Sequence, residues 1–391
     1  KDKINVKPLI SHSFSIESAE SAYSKLISGK LSNPVGVLLE YHESPALQRQ
    51  LKISNPSSKP KRKAGLINIG VVGAGLFGKA LLLPALKKER EFFLHTLVTR
   101  SGANSEHSSR KFGFEIQSTE ESAIWESENI EAVVGLTPHH NHASLVESAI
   151  RTGKDLFIEK PLCLSEEELQ NLESIATTSR KLPVIMVGHN RRYSPHAKKL
   201  KKWLLYRKNP LVLHLRVNSG FVPYDHWVHS EKEGRSRIVG EMTHFIDLLQ
   251  ALTGSIAMRV HAERIGGDNR SAVNNDNIAV TMKFMEGSVA NLTYAASGDK
   301  SYSREVLEIF FEGNNLVSED FRISKRFFGG KTETFKTKGQ QMGYREELSH
   351  FALCVKGEDS VPVSLNEAFK TMRTAFAIEN SLATGQAISL S

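Results

Sequence analysis

A chain of 391 residues has room for two full domains and a remnant of a third, and no unbroken apolar stretch in it nears the roughly 18 residues that span a bilayer. The net charge of +8 invites a nucleic-acid partner. Its densest sources, Lys59-Pro60-Lys61-Arg62-Lys63 and the run from Lys198 to Lys202, read as solvated surface with no nucleic-acid motif beside them. Cys163 and Cys354 are the only cysteines, and without CxxC spacing they exclude a disulfide framework and a structural zinc site. That cysteine usage makes a reducing cytoplasm the expected setting, and no basic-then-apolar secretory pattern opens the sequence.

In residues 1–47, Ser15 can cap a helix with Ile16, Ala19, Tyr23, Leu26 and Ile27 at helical spacing, and Gly29 stops it. Val35 to Tyr41 follows as a strand. One helix and one strand cannot bury a core alone. Lys7-Pro8-Leu9-Ile10-Ser11-His12-Ser13-Phe14, the helix, and Gly36-Val37-Leu38-Leu39 resemble the last 40 or so residues of medium-chain, zinc-type alcohol dehydrogenases. None of the metal ligands or the cofactor domain of such enzymes is present. The resemblance implies a fragment of a longer bi-domain oxidoreductase, with a linker over 48–65.

Residues 66–188 predict a dinucleotide-binding Rossmann domain. Ile67 to Val72 reads as a buried strand, and Gly73-Ala74-Gly75-Leu76-Phe77-Gly78 fits GxGxxG at the mouth of a helix running to about Arg90. The first glycine makes the tight turn, the second admits a pyrophosphate, and the third lets helix and strand pack closely. Phe92 to Val98 is the next strand, ending in Thr99-Arg100-Ser101. An NAD site usually carries an acid here for the ribose hydroxyl; a guanidinium flanked by two hydroxyls suits a 2′-phosphate instead. NADP is therefore the expected cofactor, with NAD possible. Strands at Glu131–Leu136, Asp155–Ile158 and Pro183–Val187 alternate with helices, as in a doubly wound parallel sheet.

Residues 189–391 change pattern. Asn277 to Phe284, Val289 to Ala295 and Glu305 to Phe311 alternate apolar and polar with short turns. The prediction is an α+β domain on an open, mainly antiparallel sheet, and such a sheet commonly pairs with a second copy.

Several motifs recur in order: Gly73 to Gly78, Thr137-Pro138 with His142 five residues past Thr137, Gly153-Lys154, Glu159-Lys160-Pro161, Asn190-Arg191-Arg192-Tyr193-Ser194-Pro195, and Gly240 to Asp247 around His244. Together, from Ile67 onward, they resemble the Gfo/Idh/MocA family of sugar and polyol oxidoreductases, some bi-domain members of which carry an alcohol dehydrogenase tail in front.

Hydride transfer at a carbinol needs a group that moves the hydroxyl proton and donors that hold the oxygen. Lys160 stands at the C-terminal edge of the sheet, where burial lowers a lysine's pKa. His244 lies in a predicted helix over Ile238–Leu252 with Glu241 and Asp247 three residues to either side. That spacing fits either an imidazole oriented by a carboxylate or a satisfied histidine facing the sheet. The resemblance implies His244 as the proton-transfer residue. It implies Thr137, Pro138, His139, His142, Glu159 and Lys160 beside the cofactor; His139, His140 and His142 look like a metal cluster, but they precede a predicted helix beside the cofactor crevice, and no metal is expected there. Asn190, Arg191, Arg192 and Tyr193 are candidates for a sugar or nucleotide-sugar substrate, or for an interdomain salt bridge. The loop Tyr224-Asp225-His226-Trp227 is either a binding loop or mobile surface. The family pattern places an Asp four residues before the histidine; this chain has Gly240 there and Glu241 next to it. Either Glu241 substitutes or a substrate contact is lost, and in the latter case the domain would be a cofactor-bound, catalytically weak module.

Overall fold

The computed structural model describes residues 5–41, 50–52, 65–267, 273–360 and 365–390. The chain divides into two compact units, Lys1–Arg49 and Gln50–Ser391.

In the first unit, β1 (Ile10–Ser15) and β2 (Gly36–Glu40) form a parallel pair joined through α1 (Ala19–Ile27). A 3-10 turn over Ile16–Ser18 precedes the helix, and Ser15 makes no capping bond from its side chain. Strand β1 was not legible, because Ser11, His12, Ser13 and Ser15 give it no apolar alternation. Ala22 is the only buried hydrophobic side chain of this unit among the described residues.

The second unit opens with β3 (Gln50–Lys52), inside the segment expected as a linker; apart from Gly65, the rest of 48–65 lies outside the described residues. It continues with β4 (Ile67–Val72), α2 (Leu83–Lys88), β5 (Phe92–Val98), α3 (Gly102–Phe112), β6 (Ile116–Ser118), α4 (Ser122–Trp125), β7 (Ala132–Gly135), α5 (His142–Thr152), β8 (Asp155–Ile158), α6 (Glu166–Thr178) and β9 (Ile185–Val187). The sheet runs β3-β6-β5-β4-β7-β8-β9, parallel except for β3. Every residue of β4 is buried, as expected of a strand covered on both faces. Strand order reverses between β4 and β7, so a crevice opens at their C-terminal ends. Both the glycine loop and Thr137-Pro138 follow those two strands.

Beyond α7 (Pro195–Leu204), β10 (Val212–Asn218), α8 (Thr243–Thr253), β11 (Ala257–Arg264), β12 (Ile278–Phe284), β13 (Val289–Ala295), β14 (Glu305–Phe311), β15 (Asn314–Glu319), β16 (Ile323–Phe328) and β17 (Lys331–Lys336) come α9 (Tyr344–Val355), α10 (Leu365–Thr384) and β18 (Ile388–Ser389). Their nine-stranded sheet runs β17-β16-β15-β14-β10-β13-β12-β11-β18. Only β10 and β13 pair in parallel. Ile278, Val280, Met282 and Phe284 face the core with α8, and the residues between them face outward or partly so.

The last two long helices return to the Rossmann sheet. Phe351 of α9 packs on Phe92 and Phe157, and Phe369 and Met372 of α10 join the core around Ile150 and Leu169. Truncating Phe351 to Ala removes a fully buried ring and should cost roughly 3–5 kcal/mol. Urea unfolding measures this, and a shift under 1 kcal/mol would show that α9 does not anchor the sheet.

Candidate active site

The three glycines each meet a different steric demand. Gly73 has φ +92°, and a Cβ there would lie 2.6 Å from the Leu136 carbonyl oxygen, so the turn needs glycine. A Cβ on Gly75 would meet no atom within 4 Å, which leaves that backbone open to an approaching ligand. On Gly78 it would press to 3.2 Å of the Leu136 side chain, the close helix–strand approach expected of the third glycine. This cradle fits a dinucleotide pyrophosphate. The helical run begins at Leu76 and passes through a π-helical turn, Gly78–Leu82, before α2. Ala74 is half-buried, Leu76 and Phe77 are exposed, and Phe77 meets Tyr344 edge-on at 5.9 Å.

At the end of β5 the Thr99 hydroxyl turns inward and donates to the Ser101 carbonyl oxygen at 2.9 Å, leaving Arg100 and Ser101 on the surface. Thr137 is half-buried and Pro138 exposed. His142 is fully buried, with Nδ1 2.6 Å from the Pro161 carbonyl oxygen and Nε2 3.0 Å from that of Thr137. It ties the Thr137-Pro138 turn to the strand end carrying Lys160. Burial pushes its pKa down to about 4, against the pull of those two carbonyls.

Lys160 reaches across to the α+β domain. Its Nζ donates to the Gly240 carbonyl oxygen at 2.7 Å, one helical turn before His244. Burial pushes the lysine pKa down, although Glu159 and Glu241 pull the other way. His244 is buried, and among the described residues its Nδ1 has no hydrogen-bond partner. Burial, with the charges of Arg191 and Lys160, holds its pKa well below 6.5, so the imidazole is neutral. Glu159 and Glu347 are buried carboxyls; among the described residues Glu159 Oε1 and both Glu347 oxygens have no hydrogen-bond partner. Burial raises Glu159 to about 7 and Glu347 well above the ordinary range.

The carboxylates flanking His244 are occupied elsewhere. Asp247 receives Arg192 through Nε at 2.7 Å and through a second, shorter bond, and His189 Nδ1 lies 3.0 Å from its Oδ1. Glu241 accepts from Arg237 Nε at 2.8 Å and from the Tyr294 hydroxyl at 2.6 Å. Spacing of three on the helix thus does not yield a carboxylate-oriented imidazole; His244 instead meets the edge of the His189 ring, with centroids 6.0 Å apart. Arg191 pairs with Glu305 in a buried bidentate contact at 2.8 and 2.6 Å, the ion-pair alternative for that motif. Asn190 donates to the Met342 carbonyl oxygen at 2.8 Å, and Tyr193 is buried with its hydroxyl toward Met186.

Sequence reasoning missed His189, Arg237, Tyr294, Glu305 and Glu347. His189 adjoins the Asn190-Arg191 motif and was within reach. Glu305 was not, because it meets Arg191 from 114 residues away. Among the described residues no group of three or more His, Cys, Asp or Glu is arranged to hold a metal.

The glycine cradle follows β4, and Lys160 follows β8 of the same sheet and bonds the turn before the neutral His244. The oxidoreductase family with an NAD-binding Rossmann fold, Gfo/Idh/MocA, matches residues 67–189, and its C-terminal alpha/beta domain matches residues 208–390. The chain belongs to this oxidoreductase family, with its NAD-binding Rossmann fold and C-terminal alpha/beta domain. It is 25% identical to the inositol 2-dehydrogenase of Rhizobium meliloti, over 83% of this chain and 99% of that protein. The scyllo-inositol 2-dehydrogenase (NADP(+)) IolW of Bacillus subtilis is 27% identical over 53% of this chain and 60% of its own length. In fold it matches a levoglucosan dehydrogenase solved in complex with NADH, with a TM-score of 0.73 and 20% identity, over 83% of this chain and 99% of that one.

Asp247 offers a direct test of the buried frame. Burial works against its ionised form, but Arg192 and His189 outweigh that and hold the pKa down to about 2. A carboxylate depressed in the folded state gives stability present above its ordinary 3.8 and lost as pH falls through about 2. Asp247→Asn leaves Arg192 buried without its counter-charge and should cost about 3–5 kcal/mol at pH 7. The difference from wild type should shrink between pH 4 and pH 2 in urea titrations; a constant difference would exclude this linkage.

Proposed function

We propose that this chain transfers hydride between NADP and a carbinol or carbonyl carbon of a sugar or nucleotide-linked sugar, with Lys160 and His244 at the reacting oxygen. The observation that carries the reading is the 2.7 Å bond from Lys160 Nζ to the Gly240 carbonyl, which brings the lysine within a helical turn of the neutral His244. When bound, the cofactor supplies the hydride acceptor or donor. Gly73, Gly75 and Gly78 cradle its pyrophosphate, and Arg100 with Ser101 receives the 2′-phosphate. Lys160 hydrogen-bonds the substrate oxygen; its lowered pKa eases the exchange of a proton with it. His244 accepts the hydroxyl proton in oxidation and returns it in reduction. Glu241 keeps its charge through Arg237 and Tyr294 and offers acceptor oxygens to substrate hydroxyls. The kinship to cyclic polyol and sugar dehydrogenases favours this reading over a catalytically weak module.

Two measurements test it. Titration of the purified protein should show NADPH binding more tightly than NADH, and Arg100→Ala should erase about tenfold of that preference, the equivalent of one charge-assisted contact near 1.4 kcal/mol. Tighter NADH binding by the wild type would refute the NADP assignment. His244→Asn should retain NADPH binding while lowering kcat on the order of 10²–10⁴-fold. The neutral imidazole is the proton acceptor, so oxidation should fall only as pH drops through a His244 pKa well below 6.5. A variant with wild-type turnover and an unchanged pH profile would remove His244 from the reaction.

A further inference from the structure

The loop from Phe221 to Arg235 leaves large rings in water: Trp227 is 43% exposed and Tyr224 62%. The loop is held firmly all the same. Trp227–His229 forms a 3-10 turn that His226 Nδ1 caps by accepting from the Val228 amide at 3.3 Å. A Cβ on Gly234 would fall 2.5 Å from Val228 Cα, so the two arms of the loop pack backbone to backbone. Arg235 donates to the Leu164 carbonyl oxygen and to Glu379. An exposed tryptophan on a pinned loop is a built surface, and its neighbours lead directly to the reaction centre. The Trp227 ring meets His139 at 5.1 Å, inclined 74°. His139 Cε1 in turn lies 3.2 Å from where a Cβ on Gly240 would stand, and the Gly240 carbonyl holds Lys160.

We propose that Trp227, backed by His139, is the platform on which the ring of a cyclic polyol or sugar lies in the active site, and that position 240 is glycine because the His139 ring occupies the space a side chain would need. The proposal rests on the sugar-dehydrogenase reading and names the part of the site that selects ring-shaped substrates. A cyclic polyol carries hydroxyls around its rim and C–H groups on its faces. An aromatic face buries those C–H groups with large contact area at little conformational cost, while the rim stays free for Lys160, His244 and Glu241. His139 suits the backing role because burial and the nearby Lys160 charge keep it uncharged, its pKa held down to about 2. A neutral ring sets no charge against the C–H face.

The experiment uses the full chain saturated with cofactor, and myo-inositol, scyllo-inositol and levoglucosan as probes, read by steady-state kinetics and by tryptophan emission. At least one probe should be oxidised. For it, Trp227→Leu should raise KM at least tenfold, leave kcat within about threefold and NADPH affinity unchanged, and abolish the ligand-induced change in emission. Trp227→Tyr should recover most of the loss, which a merely structural role would not allow. Gly240→Ala, which must push His139 aside, should raise KM in the same direction. An unchanged KM in Trp227→Leu would overturn the platform while leaving the proposed reaction intact. If the wild type neither oxidises nor binds any of the three probes, the platform and the choice of a ring substrate fall together. Should Trp227→Leu lose NADPH binding, the Tyr and Gly240→Ala variants decide: no recovery in the first and no KM change in the second would also overturn it.

Discussion

Where the C-terminal edge of the Rossmann sheet meets α8 and α9, charged side chains are withdrawn from water, and everything else in the site follows from how each is compensated. An ion buried without a partner costs several kcal/mol, so the fold supplies partners from far along the chain. Arg191 finds Glu305 at the start of β14, Arg192 finds Asp247 on α8, and Arg237 finds Glu241 one turn ahead. Two of these pairs join the turn after β9 to the sheet and helix of the second half. They fix where α8 sits, and with it His244.

The Rossmann half was legible because its signals are local. The fully buried β4 and the GxGxxG turn lie within twelve consecutive residues, and each glycine meets the steric demand that its place in the motif implies. The alternating β12 was equally plain, since period-two burial follows directly from the pleat. Pairing across the fold was not. Spacing of three on one helix suggested that Glu241 or Asp247 would serve His244, but a carboxylate goes to the donor that binds it best. Arginines from the same turn and from beyond β9 provide bidentate, charge-assisted bonds that a buried neutral imidazole cannot match. Strand β1 was hidden for the opposite reason, because its serine-rich sequence has no apolar face to read.

Gly240 shows how a single missing side chain reorganises its surroundings. The sequence left open whether Glu241 replaces an acid there. Glu241 is held by Arg237 and Tyr294, and the His139 ring stands against Gly240. The bare backbone serves a second purpose, since its carbonyl is the acceptor for Lys160. A position that reads as a loss in sequence is a junction of two contacts in the fold.

Most of the buried titratable groups around His244 then separate into two kinds, according to whether an opposite charge touches them; Asp276, raised by burial despite Arg237 and His229, does not follow the division. The paired ones stay ionised: Asp247 is held near 2, Glu241 is lowered, and Arg191 and Arg192 are raised. They act as a rigid frame, indifferent to pH across the neutral range. The unpaired ones drift toward neutrality under desolvation: Lys160, His139 and His244 downward, Glu159 and Glu347 upward. A group outside an ion pair can give or take a proton without first breaking one, and Lys160 bonds the Gly240 carbonyl one turn before His244. The frame therefore does more than hold the site together. By pairing Asp247 and Glu241 with arginines, it leaves burial and the charges of Arg191 and Lys160 to hold the His244 imidazole neutral.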